Sequence, residues 1–269
     1  DLSKADLSPH TDIKFGFYTI LLSECKCEAY AYGHQYCDFS DGTLVCLTPG
    51  ESISMKENNK EFPSKGWILA FHPDLICGTP LGLNIHNYTF FSYCPEEALH
   101  LSLREKQIIL EFLERIRQEL ERCIDRHSKK IISKYIELLL DYCTRFYERQ
   151  FITRSEVNKK VFREFNHLLD NHFNVKVSLS TDVLSDEYCA NLLHLSPAYF
   201  NDLLKYEIGK EFKEYIQFKR FEIAKGWLVN TDKTLGQIAQ ELGFSNSQYF
   251  SRLFKKITGC SPNEFRMPN

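Results

Sequence analysis

The sequence predicts an α+β chain of two domains: an N-terminal all-β sandwich or barrel followed by a helical hairpin, then an all-α C-terminal domain. Three observations carry this reading. The first ninety-odd residues hold short apolar runs at strand period, the pattern changes to helical period near Ser102, and the last third contains an imperfect duplication. At 269 residues, with 43% apolar and 26% charged residues, the chain is long enough for two cores and too hydrophobic for a disordered protein.

The strand-like runs are KFGFYTILL, GTLVCL, GWILAF and NYTFFSY, rich in aromatic and β-branched residues. Turn chemistry separates them at Ser40-Asp41-Gly42, Thr48-Pro49-Gly50 and Thr79-Pro80-Leu81-Gly82. Helices begin at Ser102-Leu103-Arg104-Glu105, where the Ser and Glu side chains can each satisfy a free backbone amide. Ile108, Ile109, Phe112, Leu113, Ile116 and Leu120 form one apolar stripe. Ile131, Ile132, Tyr135, Leu138, Leu139, Tyr142 and Phe146 form another after a break around Asp125 to Ser128. The resulting hairpin either covers the β domain or meets its own copy in a dimer. The expected division is 1–150 for the first domain, with its hairpin at about 100–150, then a polar linker at 151–160 and a second domain at 161–269. The second opens with an amphipathic helix through Val161, Phe165, Leu168, Leu169 and Phe173, followed by a loop from Asn174 to Asp182.

Several function classes find no support. No apolar run is long enough to span a membrane, and DLSKADLSPHT has neither a basic start nor an apolar signal core, so a soluble cytoplasmic protein is expected. The ten Cys are dispersed without a CxxC pair, which suits reduced thiols; Cys25 and Cys27 read as small hydrophobes on one face of a strand. No phosphate loop, nucleophile elbow or catalytic pair stands out. His34, His72 and His86 are isolated and no His-x-His occurs, so neither a metal nor a cofactor is expected. The charge is uneven: from Lys205 to Asn269 eleven Lys and Arg face seven Asp and Glu, giving +4, while the whole chain carries -3. Only this tail is suited to attract a polyanion.

The duplication pairs YCANLLHLSPAYFNDLLKYEIG, Tyr188 to Gly209, with QIAQELGFSNSQYFSRLFKKITG, Gln237 to Gly259. Ala190 aligns with Ala239, Leu193 with Leu242 and Ser196 with Ser245. After one extra residue in the second copy, Tyr199-Phe200 aligns with Tyr249-Phe250, Lys205 with Lys255 and Gly209 with Gly259. Each copy reads as a short helix with a small Ala at a close crossing, a tight turn, and a Ser that caps a second helix. In the second copy Gly243 supplies the left-handed turn residue and Phe244 plugs the corner; His194 and Leu195 hold these places in the first. This is the helix-turn-helix plan. On the last of these helices Tyr249, Phe250, Leu253, Phe254 and Ile257 are expected to be buried. Asn246, Ser247, Gln248, Ser251, Arg252, Lys255 and Lys256 are left facing out, with side-chain types suited to base edges and phosphates. Between the copies, KEFKEYIQFKRFEIAKGWLVN reads as one helix about 30 Å long, close to the roughly 34 Å between major-groove segments on one face of DNA. Gly226 within it is expected to mark a close packing contact.

From Val183 to Arg266 the residues LSPAYFNDLLK and TLGQIAQELGFSNSQYFSRLFKKITGCSPNEFR, with their spacing, resemble the AraC/XylS transcription regulators. The first domain, with FHPDLICGTPLG and the helical pair, looks like the cupin-type β-barrel sensory domain common in such regulators. The resemblance implies two helix-turn-helix units joined by a long helix, binding double-stranded DNA. It assigns groove contacts to Ser247, Gln248, Ser251 and Arg252, with Lys255 nearby for backbone contact. In the first unit the corresponding surface is Ala198, Tyr199, Asn201, Asp202 and Lys205. Asp202 departs from the basic pattern, standing where the second copy has Arg252. The further implied partners are RNA polymerase, a second copy in a homodimer and a small-molecule effector. An alternative of a different class is a cupin-type β-barrel enzyme fused to a DNA-binding domain.

Overall fold

The computed structural model describes residues 12–14, 16–23, 41–54, 65–174 and 184–267. The chain divides into two compact units, Asp1–Glu156 and Val157–Asn269. The expectations for Cys25, Cys27 and His34, and the loop expected after Asn174, fall on residues outside the described ones.

In the first unit a four-stranded antiparallel sheet runs in the order β5 (Gly66–Phe71), β2 (Tyr18–Ser23), β3 (Gly42–Leu47), β6 (Leu99–Leu101). Two short strands, β1 (Asp12–Lys14) and β4 (Ser52–Ser54), pair separately. Ile20, Leu21 and Leu22 are all buried, so β2 is covered on both faces and its side chains need not alternate. Among the described residues the sheet is small and open, and the closed barrel is not shown.

One reason lies between β5 and β6, where the chain makes two short helices, α1 (Pro73–Ile76) and α2 (Pro80–Asn84), and three turns of 3-10 helix. The run NYTFFSY, expected as a strand, is part of this segment. Its adjacent Phe90 and Phe91 are both buried, and a tight 3-10 turn places both inward where a strand would send them to opposite faces. Thr79, expected in a turn, caps α2 by accepting the Gly82 amide at 3.3 Å. His72 likewise caps α1 through its Nδ1, which accepts the Asp74 amide at 3.1 Å.

The hairpin is α3 (Leu103–Glu121) and α4 (Ser128–Thr153). The Ser102–Glu105 capping box forms as the sequence suggests, with the Ser102 amide donating to Glu105 at 2.9 Å. Ile109, Leu113, Ile116, Ile132, Leu139 and Phe146 are buried, whereas Leu120, Ile131 and Leu138 from the expected stripes are exposed. The buried Gln150 fastens α4 to the outer edge of β6. Its Oε1 accepts the His100 amide at 2.8 Å and its Nε2 donates to the Ala98 carbonyl at 3.2 Å, as a neighbouring strand would. Arg149 donates to the His100 carbonyl at 2.6 Å and to Glu105 at 2.8 Å, tying the start of α3 to the end of α4.

Residues 151–160, the expected linker, are helical except for Arg154: α4 ends at Thr153 and α5 (Ser155–Asn174) follows. The polar sequence here reflects an exposed helical surface rather than irregular chain. The second unit comprises most of α5, then α6 (Asp186–Leu192), α7 (Pro197–Ile208), α8 (Phe212–Asn230), α9 (Leu235–Glu241), α10 (Ser247–Thr258) and α11 (Pro262–Arg266). No helix among the described residues is long and apolar enough to cross a membrane.

In this unit Phe165 of α5 meets Phe200 of α7 edge to face, with ring centroids 5.0 Å apart. Phe221 of α8 meets Phe244, Phe250 and Phe254 at 5.6, 6.2 and 6.0 Å. Gly226 does not mark a close approach. Apart from its chain neighbours and the nearby backbone of its own helix, no described atom lies within 4 Å of the Cβ an alanine would carry there. Gly226→Ala is therefore expected to stabilise the second unit by about 1 kcal/mol through helix propensity, measurable as a higher denaturation midpoint.

Candidate nucleic-acid interface

The two copies close their turns with the same bonds. The Leu195 amide donates to the Ala190 carbonyl at 2.9 Å, and the Phe244 amide to the Ala239 carbonyl at 2.8 Å. Both alanines are fully buried, where a larger side chain would hold the helices apart. The turn needs a positive φ: Gly243 supplies it at 73°, and His194 adopts it at 57° despite its Cβ. Gly209 and Gly259 end α7 and α10 in the left-handed conformation, their amides donating to Lys205 and Lys255 carbonyls.

The caps of the two second helices differ from the sequence alignment. Ser196 caps α7, accepting the Tyr199 amide at 3.2 Å. In the second copy the cap is Asn246 rather than Ser245, its Oδ1 accepting the Tyr249 amide at 2.7 Å. The extra residue of that copy therefore lengthens the turn, and each cap stands three residues before its Tyr.

On α10, advancing about 100° per residue from Ser247, Phe250 and Phe254 point at about 300° and 340° and Arg252 at about 140°. Phe250 and Phe254 are completely buried, and Arg252 is exposed on the opposite side. Gln248, Lys255 and Lys256 are also exposed, while Ser247 and Ser251 are half-buried at the margin. Tyr249 and Ile257, expected in the core, are 40% and 51% exposed. The guanidinium carbon of Arg252 stands 5.7 Å from the Tyr249 ring centroid. The outward surface of α10 is thus Gln248, Tyr249, Arg252, Lys255 and Lys256. The two serines contribute less surface than their residue type suggested, and Tyr249 was missed because an aromatic at helical spacing ordinarily reads as core.

The first copy presents a different surface. Tyr199 is 6% exposed and so is not available as a surface contact, contrary to its place in the expected set. Asn201 donates to the Asp186 carboxylate at 2.9 Å, joining α7 to the first turn of α6. Ala198 and Asp202 are half-buried, and Asp202 takes part in interactions within the chain. Lys205 and Tyr206 are exposed. The structure therefore distributes the expected residues unequally, with the exposed cations concentrated on α10.

Two arginines brace the second copy. Arg266 of α11 donates from Nε to the Leu228 carbonyl at 3.3 Å and from Nη2 to the Lys233 carbonyl, fastening the end of α8 to the loop before α9. Phe265 adds an edge-to-face contact with Phe254 at 5.5 Å. Arg220 of α8 lies 6.0 Å from the centre of the Phe244 ring, and burial lowers its guanidinium pKa. Its Nε has no hydrogen-bond partner. Among the described residues no group of three or more His, Cys, Asp or Glu is placed to hold a metal ion.

Residues 189–267 match a family described as a helix-turn-helix domain. The chain is 33% identical over 111 residues to the uncharacterized HTH-type transcriptional regulator YtdP of Bacillus subtilis, covering 41% of this chain and 14% of that protein. It is 32% identical over 101 residues to the arabinose operon regulatory protein of Salmonella typhimurium, covering 38% of this chain and 32% of that protein. The chain thus spans less than a third of the length of either relative. Among solved structures, the C-terminal domain of AraT, a response regulator from Geobacillus stearothermophilus, is 32% identical, with 39% of this chain and 83% of that one covered and a TM-score of 0.34.

Proposed function

Because the chain belongs, through residues 189–267, to the AraC/XylS family of transcription regulators, we propose that it binds specific double-stranded DNA sequences and regulates transcription from them. The observation that carries this reading is the outward surface of α10. A helix capped by Asn246 and ended by Gly259 holds Gln248, Arg252, Lys255 and Lys256 exposed opposite a sealed phenylalanine core. Gln248 and Arg252 are suited to bidentate contacts with base edges. Lys255 and Lys256, nearer the helix C-terminus, suit phosphates. Half-buried Ser247 and Ser251 supply short contacts at the groove margin. In the first copy Ala198, Asp202 and Lys205 face the DNA with less positive charge, and Asn201 contributes through its bond to Asp186.

Helix α8, with 19 residues at about 1.5 Å each, spans about 28 Å and sets the separation of the two readers. The N-terminal unit serves as the sensory and dimerisation domain, its cupin-type sheet receiving a small molecule or another signal. Gln150 and Arg149 attach α4 to the edge of β6, so a change in the sheet reaches the helical hairpin through these bonds. Altered hairpin geometry then changes how a homodimer fits its half-sites and recruits RNA polymerase.

Selection of bound fragments from random double-stranded DNA tests the central reading. The full chain is expected to enrich one motif, with affinity falling steeply as salt rises because phosphate contacts release counterions. Absence of any enriched motif overturns it.

A further inference from the structure

We propose that Tyr249 is a specificity-determining residue that reads a thymine methyl group beside the base contacted by Arg252. This deepens the DNA-binding reading and rests on it. Its counterpart Tyr199 is buried, at 6% exposure. Tyr249 instead is 40% exposed on the last helix of the second copy. Both tyrosines occupy the same place, three residues beyond the capping side chain that accepts their amides, so the difference does not come from a shift along the helix.

At about 100° per residue, Tyr249 projects about 60° from Arg252, on the side of Lys256. The two side chains stand one turn apart on the same face, with the guanidinium 5.7 Å from the ring centroid. The ring attracts and orients the cation, reducing the freedom Arg252 loses when it makes a planar, two-pronged contact. Tyr249 is also only three residues past Asn246, and the N-terminal part of such a helix approaches the bases. An apolar ring edge in the major groove has one distinctive partner, the C5 methyl of thymine, while a guanidinium pairs with guanine O6 and N7. Tyr249 and Arg252 together therefore read a step that combines thymine and guanine. In the first copy the corresponding pair is a buried Tyr199 and the carboxylate of Asp202, which has neither capability.

The test uses the full chain and the motif it selects from random DNA, with each motif thymine replaced in turn by uracil, which lacks only the methyl. Wild type is expected to lose about fourfold in affinity at one thymine adjacent to the guanine contacted by Arg252. Tyr249→Ala is expected to bind thymine and uracil equally there. Tyr249→Gln, which keeps a helix-compatible side chain with polar reach, is expected to shift the selected base at that position toward adenine. An unchanged methyl dependence in Tyr249→Ala overturns the inference while leaving the DNA-binding reading intact. A Tyr249→Gln chain that selects the wild-type motif overturns it equally. If wild type selects no motif, the DNA-binding reading fails and the inference with it.

Discussion

Arg252→Ala is expected to weaken binding to the selected site by about 10- to 100-fold, the range of one bidentate base contact, while Asp202→Ala retains or strengthens it. The two residues occupy equivalent turns of α10 and α7 yet carry opposite charge. Arg252 is exposed opposite the core, whereas Asp202 is half-buried and takes part in interactions within the chain. A carboxylate can accept a hydrogen bond from cytosine but is repelled by every nearby phosphate. Removing it relieves that repulsion, and removing Arg252 deletes both a base contact and a charge. Titration of labelled DNA against each variant, with a scrambled duplex as control, separates the effects. Arg252→Ala should affect the selected site far more than the scrambled one. Equal losses for the two variants would refute the unequal roles assigned to the copies.

The parts of this arrangement most legible in the sequence are those fixed by local chemistry. The Ser102–Glu105 box, the turn glycines Gly243 and Gly259, and the small Ala190 and Ala239 each have a short-range reason to be where they are. The duplication then gives the helix-turn-helix plan without any long-range information. Residue burial was less legible because neighbours outside the repeat determine it. The dipeptide Tyr-Phe occurs at the same place in both copies, yet only Tyr199 is buried with its Phe. The copies have different surroundings: α5 packs on α7 through Phe165 and Phe200, and α11 packs on α10 through Phe265 and Phe254. Likewise the one-residue insertion moved the second cap to Asn246, because Asn and Ser both cap well and residue type alone does not choose between them. In the first unit, the Phe90-Phe91 pair shows the same limit. Aromatic residues favour strands in isolation, but two adjacent inward rings are met here by a 3-10 turn.

A chain beginning at Val183, where the resemblance to regulators begins, is expected to be far less stable than one beginning at Val157. The second unit includes α5, although α5 lies outside the helix-turn-helix match of 189–267. Phe165 and Leu169 are completely buried, and the Phe165 ring meets Phe200, Phe212 and Tyr215 at 5.0, 6.1 and 5.8 Å. Asn166 accepts the Tyr215 hydroxyl at 2.6 Å, adding a polar tie between α5 and α8. Deleting α5 exposes the facing surfaces of Phe200 and Phe212 as well as removing the helix itself. Fully burying one such side chain is worth about 1.5–3 kcal/mol, and a domain's whole stability is only about 5–15 kcal/mol. The loss is therefore a large share of what holds the first helix-turn-helix together. The 157–269 fragment should melt cooperatively by circular dichroism, and the 183–269 fragment should melt more than about 10 °C lower or show no transition. Matching melting curves would show that α5 is an appendage. The second copy, built on Phe221, Phe250 and Phe254, has no ring contact with α5 among those of Phe165. In the shorter fragment Phe250 and Phe254 should accordingly remain protected longer than Phe200, so α10 amides should exchange with solvent more slowly than those of α7.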